Sequence, residues 1–447
     1  MTNDSLPQRW LARLVAVRPG EMRALLWSFA YFFCLLAGYY VLRPLRDEMG
    51  IAGGVRNLQW LFTATFLVML AAVPIFGAVV ARLPRQRFIP LVYHFFVVNL
   101  ALFWLLLTFD VAKLTVARVF FVWISVFNLF AVSVFWSFMA DVYASEQGKR
   151  LFGFIAAGGS AGALLGPILT VGLVGALGPV NLLIVAALLL ELAVLCARGL
   201  ERAAPKKDDA ISSDAPARSA VAAIAAKPEV AMGGSWLAGF MLVLRSPYLA
   251  GIALWVLLLS MAGTFLYFQQ ANVVAAASDD PAVRTRIFAS IDLAVGILTL
   301  LIQGVVTGRV IARFGTGPAA AFLPLIFALG FAALAMNPAL LVVLSFQALQ
   351  RTANFAVSNP AREVLFTVVA REEKYKAKYV IDGVVFRGAD AISGWAFAAL
   401  RSAGMELTMI AMVTVPVALG WLVLALGLGR MQERRTQAQS IADAATH

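Results

Sequence analysis

Apolar runs of about 20 residues, repeated from Ala24 to Gly429, constrain this chain more than any other feature. A run of that length crosses the hydrocarbon core of a bilayer as a helix, because in lipid every backbone N–H and C=O must be satisfied within the segment. The first four runs are Ala24–Leu42, Asn57–Ala81, Phe88–Phe109 and Val119–Ala140. Leu151–Leu190 is too long for one crossing and is expected to break at Gly175–Pro179 into spans five and six, the latter carrying Glu191. Ser246–Ser278 holds span seven, and Ile287–Gly308 is span eight with Asp292 inside it. Phe314–Gln350 is expected to break at Asn337–Pro338 into spans nine and ten. Lys378–Leu400 is span eleven and Leu407–Gly429 span twelve. The fold class predicted is an all-α integral membrane protein of 12 transmembrane helices in two six-helix pseudo-repeats.

Composition excludes the alternatives. The chain is 62% hydrophobic and 13% charged, against a charged share of about 25% in soluble domains. A membrane barrel would instead alternate in segments of about ten residues. Cys34 and Cys196 lie far apart in apolar runs and imply neither a disulfide framework nor a metal site. His94 and His447 are the two histidines, too few for a histidine metal centre. His94, within an apolar helix, reads as a packed, hydrogen-bonded side chain. No metal and no cofactor are expected.

The net charge of +12 is not a nucleic-acid signal, because the basic residues gather in alternate loops as the positive-inside rule requires. Arg82, Arg85 and Arg87, then Lys149 and Arg150, Arg309 and Arg313, Arg362 to Lys378, and Arg430 to Arg435 lie on one side. Arg56, Lys113, Arg284, Arg286 and Arg401, besides Arg43 and Arg46, lie on the other. Both termini are therefore expected in the cytoplasm, with the chain in the cell's inner (plasma) membrane. Residues 1–22 read as a cytoplasmic interfacial helix, since Trp10, Leu11, Leu14 and Val15 oppose Arg9 and Arg13. Residues 23–200 form an N-terminal six-helix bundle, 201–235 a mobile cytoplasmic linker too polar to bury a core, 236–430 a C-terminal bundle opening on an interfacial stretch at Trp236–Leu244, and 431–447 a tail. The two halves echo each other. Gly77-Ala-Val-Val-Ala-Arg-Leu-Pro84 matches Gly308-Arg-Val-Ile-Ala-Arg-Phe-Gly315, and Ala144-Ser-Glu-Gln matches Ala370-Arg-Glu-Glu, the mark of parallel repeats in transporters.

Charge inside a span is the functional signal. Span eleven carries Asp382, Arg387 and Asp390, each costing about 2.5–3.5 kcal/mol at the bilayer centre on insertion scales. On an ideal helix they fall within roughly 140° of one another, so one side is expected to face water. Arg387 and Asp390 stand i, i+3; they read either as part of a site or as a pair that locks helices together. Arg43 and Arg46 flank Pro44, which is expected to break span one there and give a charged helix end, read either as a site or as interface snorkelling. In span ten, Gln347, Gln350, Arg351, Asn354 and Asn359 make a polar stripe. Arg118, Asn128, Trp136, Gln269, Gln270 and Asn272 are weaker candidates, several of them ordinary helix–helix hydrogen-bonding residues.

The chain resembles the major facilitator superfamily over nearly its whole length. Gly77, Arg82, Arg85 and Arg87 match that superfamily's basic loop motif, with Ala81 in place of its aspartate, and Gly158, Gly162, Gly166 and Pro167 are similar to the glycine–proline motif of antiporter members. Small residues at that spacing equally let two helix backbones touch. Within the superfamily, Tyr39-Tyr-Val-Leu-Arg-Pro-Leu-Arg-Asp47, Lys376-Ala-Lys, Ile381-Asp and Arg387-Gly388 resemble the ATP:ADP antiporter (nucleotide transporter) family. Arg46 stands where that family has lysine, and Asp390 where it tends to be basic. The resemblance implies twelve spans and transport of a nucleotide.

From the charges themselves, Arg43, Arg46, Arg351 and Arg387 would suit an organic anion, since a guanidinium binds phosphate or carboxylate through two parallel bonds. Tyr39 and Tyr40, with Trp136 or Trp395, could stack on a base, Asn354 could hydrogen-bond, and Asp292, Asp382 and Asp390 could balance charge or carry protons. The function expected is a secondary active transporter of an organic anion, a nucleotide or other phosphorylated metabolite, working by alternating access and exchange as a monomer. A proton-coupled carrier of another metabolite or drug, and a non-transporting receptor or scaffold on the same fold, stay open. No Gly-x-Ser-x-Gly elbow or Gly-x-x-x-x-Gly-Lys loop argues for an enzyme.

Overall fold

The computed structural model describes residues 17–18, 20–82, 85–203, 236–305, 313 and 315–446. The interfacial segment before residue 17, the linker from 204 to 235 and most of the Gly308–Gly315 repeat motif lie outside the described residues, as do the side chains of Ala81 to Arg87.

Helices follow the apolar runs. Spans one to six are Met22–Ala52, Leu58–Arg82, Arg85–Thr108, Lys113–Val142, Ser145–Leu177 and Leu182–Ala203. A short helix, Trp236–Arg245, precedes span seven, Pro247–Ala277. Span eight is Pro281–Val305, span nine Thr316–Met336 and span twelve Leu407–Thr446. Among the described residues, 11 helices are long and apolar enough to cross a membrane. Span eleven is the twelfth crossing, and its three internal charges account for its lower hydropathy.

The long apolar runs break where their turn residues stand. Span five stops at Leu177, where Gly178 adopts φ +76°, a conformation open to glycine without a Cβ penalty. Span nine stops at Met336 before Asn337 and Pro338. Span seven starts at Ser246, whose hydroxyl accepts a hydrogen bond from the Leu249 N–H at 3.4 Å, with Pro247 at the first helical position.

Span one does not break at Pro44. Its helix continues to Ala52, with Pro44 buried inside it. Proline removes one donor of the ladder, and the hydrogen bonds above and below it suffice to carry the helix on. Spans ten and eleven differ from ideal helices in another way. Leu340–Ala353 passes into a π-helical turn at Asn354–Ser358 before Asn359–Leu365. Arg371–Lys378 passes into π-helical turns at Tyr379–Val385 before Phe386–Ser402. Each such bulge inserts a residue and rotates the helix beyond it by roughly 100°.

Contacts group the chain into two compact units: Met1–Met49 with Leu67–Met232 and Pro281–Ser290, and Gly50–Phe66 with Gly233–Asp280 and Ile291–His447. The first unit is built on the contact of span one with span five. A Cβ added to Gly158 would lie 2.6 Å from the Phe29 carbonyl oxygen, and one on Gly166 would lie 2.7 Å from the Ala37 oxygen. Gly162 meets the carbonyl of Phe33 in the same way. Residues i, i+4 and i+8 of each helix thus touch in ascending order, so the two helices run parallel with their backbones in contact. Around this seam Phe32 stacks on Phe135 at 4.1 Å. The Tyr31 hydroxyl donates to Tyr93 at 2.6 Å, and Tyr93 donates to the Ala131 carbonyl at 3.1 Å.

In the second unit Trp255 and Trp421 are fully buried with rings 5.7 Å apart, and Phe327 packs against Trp421, Phe331 and Phe346. The start of span two belongs here: Trp60 lies 4.6 Å from Trp395, whose Nε1–H donates to Thr63 at 3.0 Å.

Candidate functional site

Ion pairs inside the spans set the electrostatics of each unit. In the first, Tyr39, Tyr40, Arg43 and Arg46 lie along the C-terminal half of span one. The two tyrosine rings are 5.2 Å apart, edge to face, and the Arg43 guanidinium stands 5.9 Å over Tyr40. Arg46 lies 4.2 Å over the Phe121 ring and 3.5 Å from Asp47, a cation–π contact worth about 0.5–2 kcal/mol. One turn on, buried Glu48 pairs with Arg284 at 2.8 Å. Arg284, expected as an outer loop residue, is thus folded against span one from the start of span eight. Trp136 is absorbed in an aromatic cluster with Phe32, Phe135 and Phe152. His94 holds the Pro90 carbonyl at 2.6 Å through Nδ1, with Nε2 3.6 Å from Glu191.

The second unit holds Asp292, Arg351, Asn354, Asp382, Arg387 and Asp390. Arg351 reaches from span ten to Asp292 on span eight at 2.6 Å, their side chains 15% and 2% exposed. Above it, Gln350 donates to Gln347 at 2.8 Å, and Gln347 donates to Gln270 of span seven. Below it, the buried Asn354 Oδ1 and Ser358 hydroxyl in the π turn have no hydrogen-bond partner among the described residues. The stripe foreseen along span ten is therefore a continuous polar face. Asn272 satisfies itself on the Phe268 carbonyl.

The three charges of span eleven have different partners. Asp382 lies within the π segment and pairs with Arg362 at 3.2 Å, while neighbouring Lys378 and Glu363 pair at 2.7 Å. The ideal helix on which the three were projected does not hold here, since Asp382 lies in a π segment. Arg387 and Asp390 do stand together, but the Nη1 to Oδ2 distance is 3.7 Å, beyond a hydrogen bond. Asp390 is instead held through Oδ1 by Ser260 at 2.6 Å and Thr264 at 3.3 Å, both on span seven. The Arg387 side chain is 43% exposed. Ser260 and Thr264 escaped the sequence reading because two hydroxyls in an apolar run look like any others; their i, i+4 spacing is the one signal they carry.

No family model matches the chain, and no curated protein matches it. Solved structures do. A bacterial homologue of the human lysosomal transporter Spinster aligns at TM-score 0.59 and 14% identity, covering 93% of this chain and 99% of that one. The nucleoside transporter NupG aligns at 0.60 and 14%, covering 93% and 99%. A bacterial homologue of the iron transporter ferroportin aligns at 0.62 and 13%, covering 92% and 98%. At such identities the likeness is one of fold, and that fold is the all-α, twelve-helix major facilitator architecture.

Proposed function

We propose that this chain is a secondary active transporter of an organic anion, a nucleotide or other phosphorylated metabolite, working by alternating access and exchange. It is read as a monomeric transporter rather than an enzyme, in the inner (plasma) membrane with both termini cytoplasmic, on the basic residues of alternate loops. Structures of the same fold include a nucleoside transporter and a homologue of an iron transporter, so the fold supports transport and leaves the cargo to the site.

The observation that carries the anionic reading is Arg387. A guanidinium in mid-span is tolerated where it meets water rather than lipid. Its neighbouring carboxylate stands 3.7 Å away and is engaged by two hydroxyls. At that distance no hydrogen bond joins the two, so an incoming carboxylate or phosphate has none to break to reach the fork. Arg43 and Arg46, Tyr39 and Tyr40, and Asn354 and Arg351 are the further candidates for substrate contact. A second reading, proton coupling, rests on the burial of Asp292.

The test is a thermal-shift screen of purified protein against nucleotides, sugar phosphates and organic acids, repeated with Arg387→Lys and Arg387→Ala. An anion should stabilise the wild type, less so Arg387→Lys, which keeps the charge and loses the fork, and Arg387→Ala not at all. Equal stabilisation of all three proteins would overturn the assignment of Arg387.

A further inference from the structure

Two hydroxyls on span seven decide what Asp390 can do to Arg387. Ser260 and Thr264 stand i, i+4, on one face of the helix, and each is 3% exposed. Both point at the same oxygen: Ser260 donates to Asp390 Oδ1 at 2.6 Å and Thr264 to the same atom at 3.3 Å. The Ser260 oxygen also lies 3.1 Å from the Phe386 carbonyl, which fixes it against the turn of span eleven that carries Arg387. A 2.6 Å O–H···O⁻ bond is short and charge-assisted. The competing contact, guanidinium to Oδ2 at 3.7 Å, is not a hydrogen bond. In an ordinary i, i+3 pair of a helix nothing prevents the two side chains from closing; here the carboxylate is drawn toward span seven.

We infer that Ser260 and Thr264 are positioning residues that hold Asp390 back from Arg387 and so keep the guanidinium open to the substrate anion. The inference rests on the reading of Arg387 as an anion-binding residue. Asp390 then acts as a tethered internal anion, close enough to balance Arg387 when the site is empty and restrained from outcompeting the substrate. Without the two hydroxyls, the carboxylate is expected to swing onto the fork and compete for it.

Affinity for ADP, glucose 6-phosphate and citrate is to be measured by titration calorimetry on the full chain, alongside the unfolding midpoint. The variants are Ser260→Ala with Thr264→Val, the same pair with Asp390→Asn, and Arg387→Ala alone. The hydroxyl-deleted pair should bind the anion that the wild type binds about tenfold more weakly, the factor set by a lost charge-assisted hydrogen bond. Adding Asp390→Asn should restore wild-type affinity, because the internal competitor has lost its charge. A merely structural role lowers the midpoint, leaves affinity unchanged or unrescued by Asp390→Asn, and overturns the inference. If Arg387→Ala loses the anion while the hydroxyl-deleted pair keeps it, the reading of Arg387 stands and this inference alone falls. If Arg387→Ala keeps the anion, or the wild type binds none of the three, both fall together.

Discussion

Removing the carboxylate of Asp292 should destabilise the second unit more than removing both members of its ion pair. Arg351 Nη1 and Asp292 Oδ1 are 2.6 Å apart, and the Asp292 side chain is 2% exposed. With charge centres about 4 Å apart and an effective dielectric of about 20, their attraction is about 4 kcal/mol. Burial costs several kcal/mol per ion, so the intact pair comes out near neutral. Asp292→Asn leaves the guanidinium buried without its counter-charge, a change that costs about 3–5 kcal/mol. Arg351→Met takes the guanidinium away from a buried carboxylate and is expected to cost as much. The double change Asp292→Leu with Arg351→Met keeps the volume and removes both charges, so its loss should be within about 1 kcal/mol of zero. The assay is reversible denaturation in mixed micelles for all four corners of the cycle. Two single losses that add up in the double variant, or single losses below about 1 kcal/mol, would refute the argument.

Two further outcomes test the first unit. Gly162→Val should abolish folded protein on fluorescence-detected size exclusion, because its Cβ would strike the Phe33 backbone oxygen, which cannot step aside; Gly172→Ala, with nothing near its Cβ, should behave as wild type. Burial alone would raise the Glu21 carboxyl, but hydrogen bonds from the Arg150 guanidinium, the Arg18 N–H and Gln147 outweigh it and hold the group below its ordinary value of 4.5. A lowered folded value means stabilisation that is complete above pH 4.5 and lost as pH falls through that lower value. The stability advantage of wild type over Glu21→Gln, read from unfolding midpoints, should therefore be full at neutral pH and close in acid; an advantage independent of pH would sink this account.

Long-period features were readable in the sequence and short-range geometry was not. The breaks at Gly175–Pro179 and Asn337–Pro338 were legible because they depend on residues that cannot continue a helix in place. Pro44 misled for the same reason, since a single missing donor ends a helix only when neighbours fail to support it. The pairing of Arg387 with Asp390 follows from spacing within one turn. Their 3.7 Å separation does not, because it is set by hydroxyls some 130 residues away in the chain. Likewise Asp292 and Arg351 were each marked as intramembrane charges, yet nothing in either span names the other as partner. The π turns of spans ten and eleven leave no periodic trace, and Asp382, paired with Arg362, lies in one of them.

The seam between spans one and five bears on the order of assembly. Gly158, Gly162 and Gly166 each meet a backbone carbonyl of span one, and having no side chains they freeze no rotamers of their own when that contact closes. Ordering a long side chain costs up to about 2 kcal/mol, and glycine none. The aromatic cluster around Phe32, Phe135 and Trp136 must settle several rings at once before its packing is gained. Spans one and five can therefore associate as soon as both are inserted, and the rings of span four then order against a template already in place.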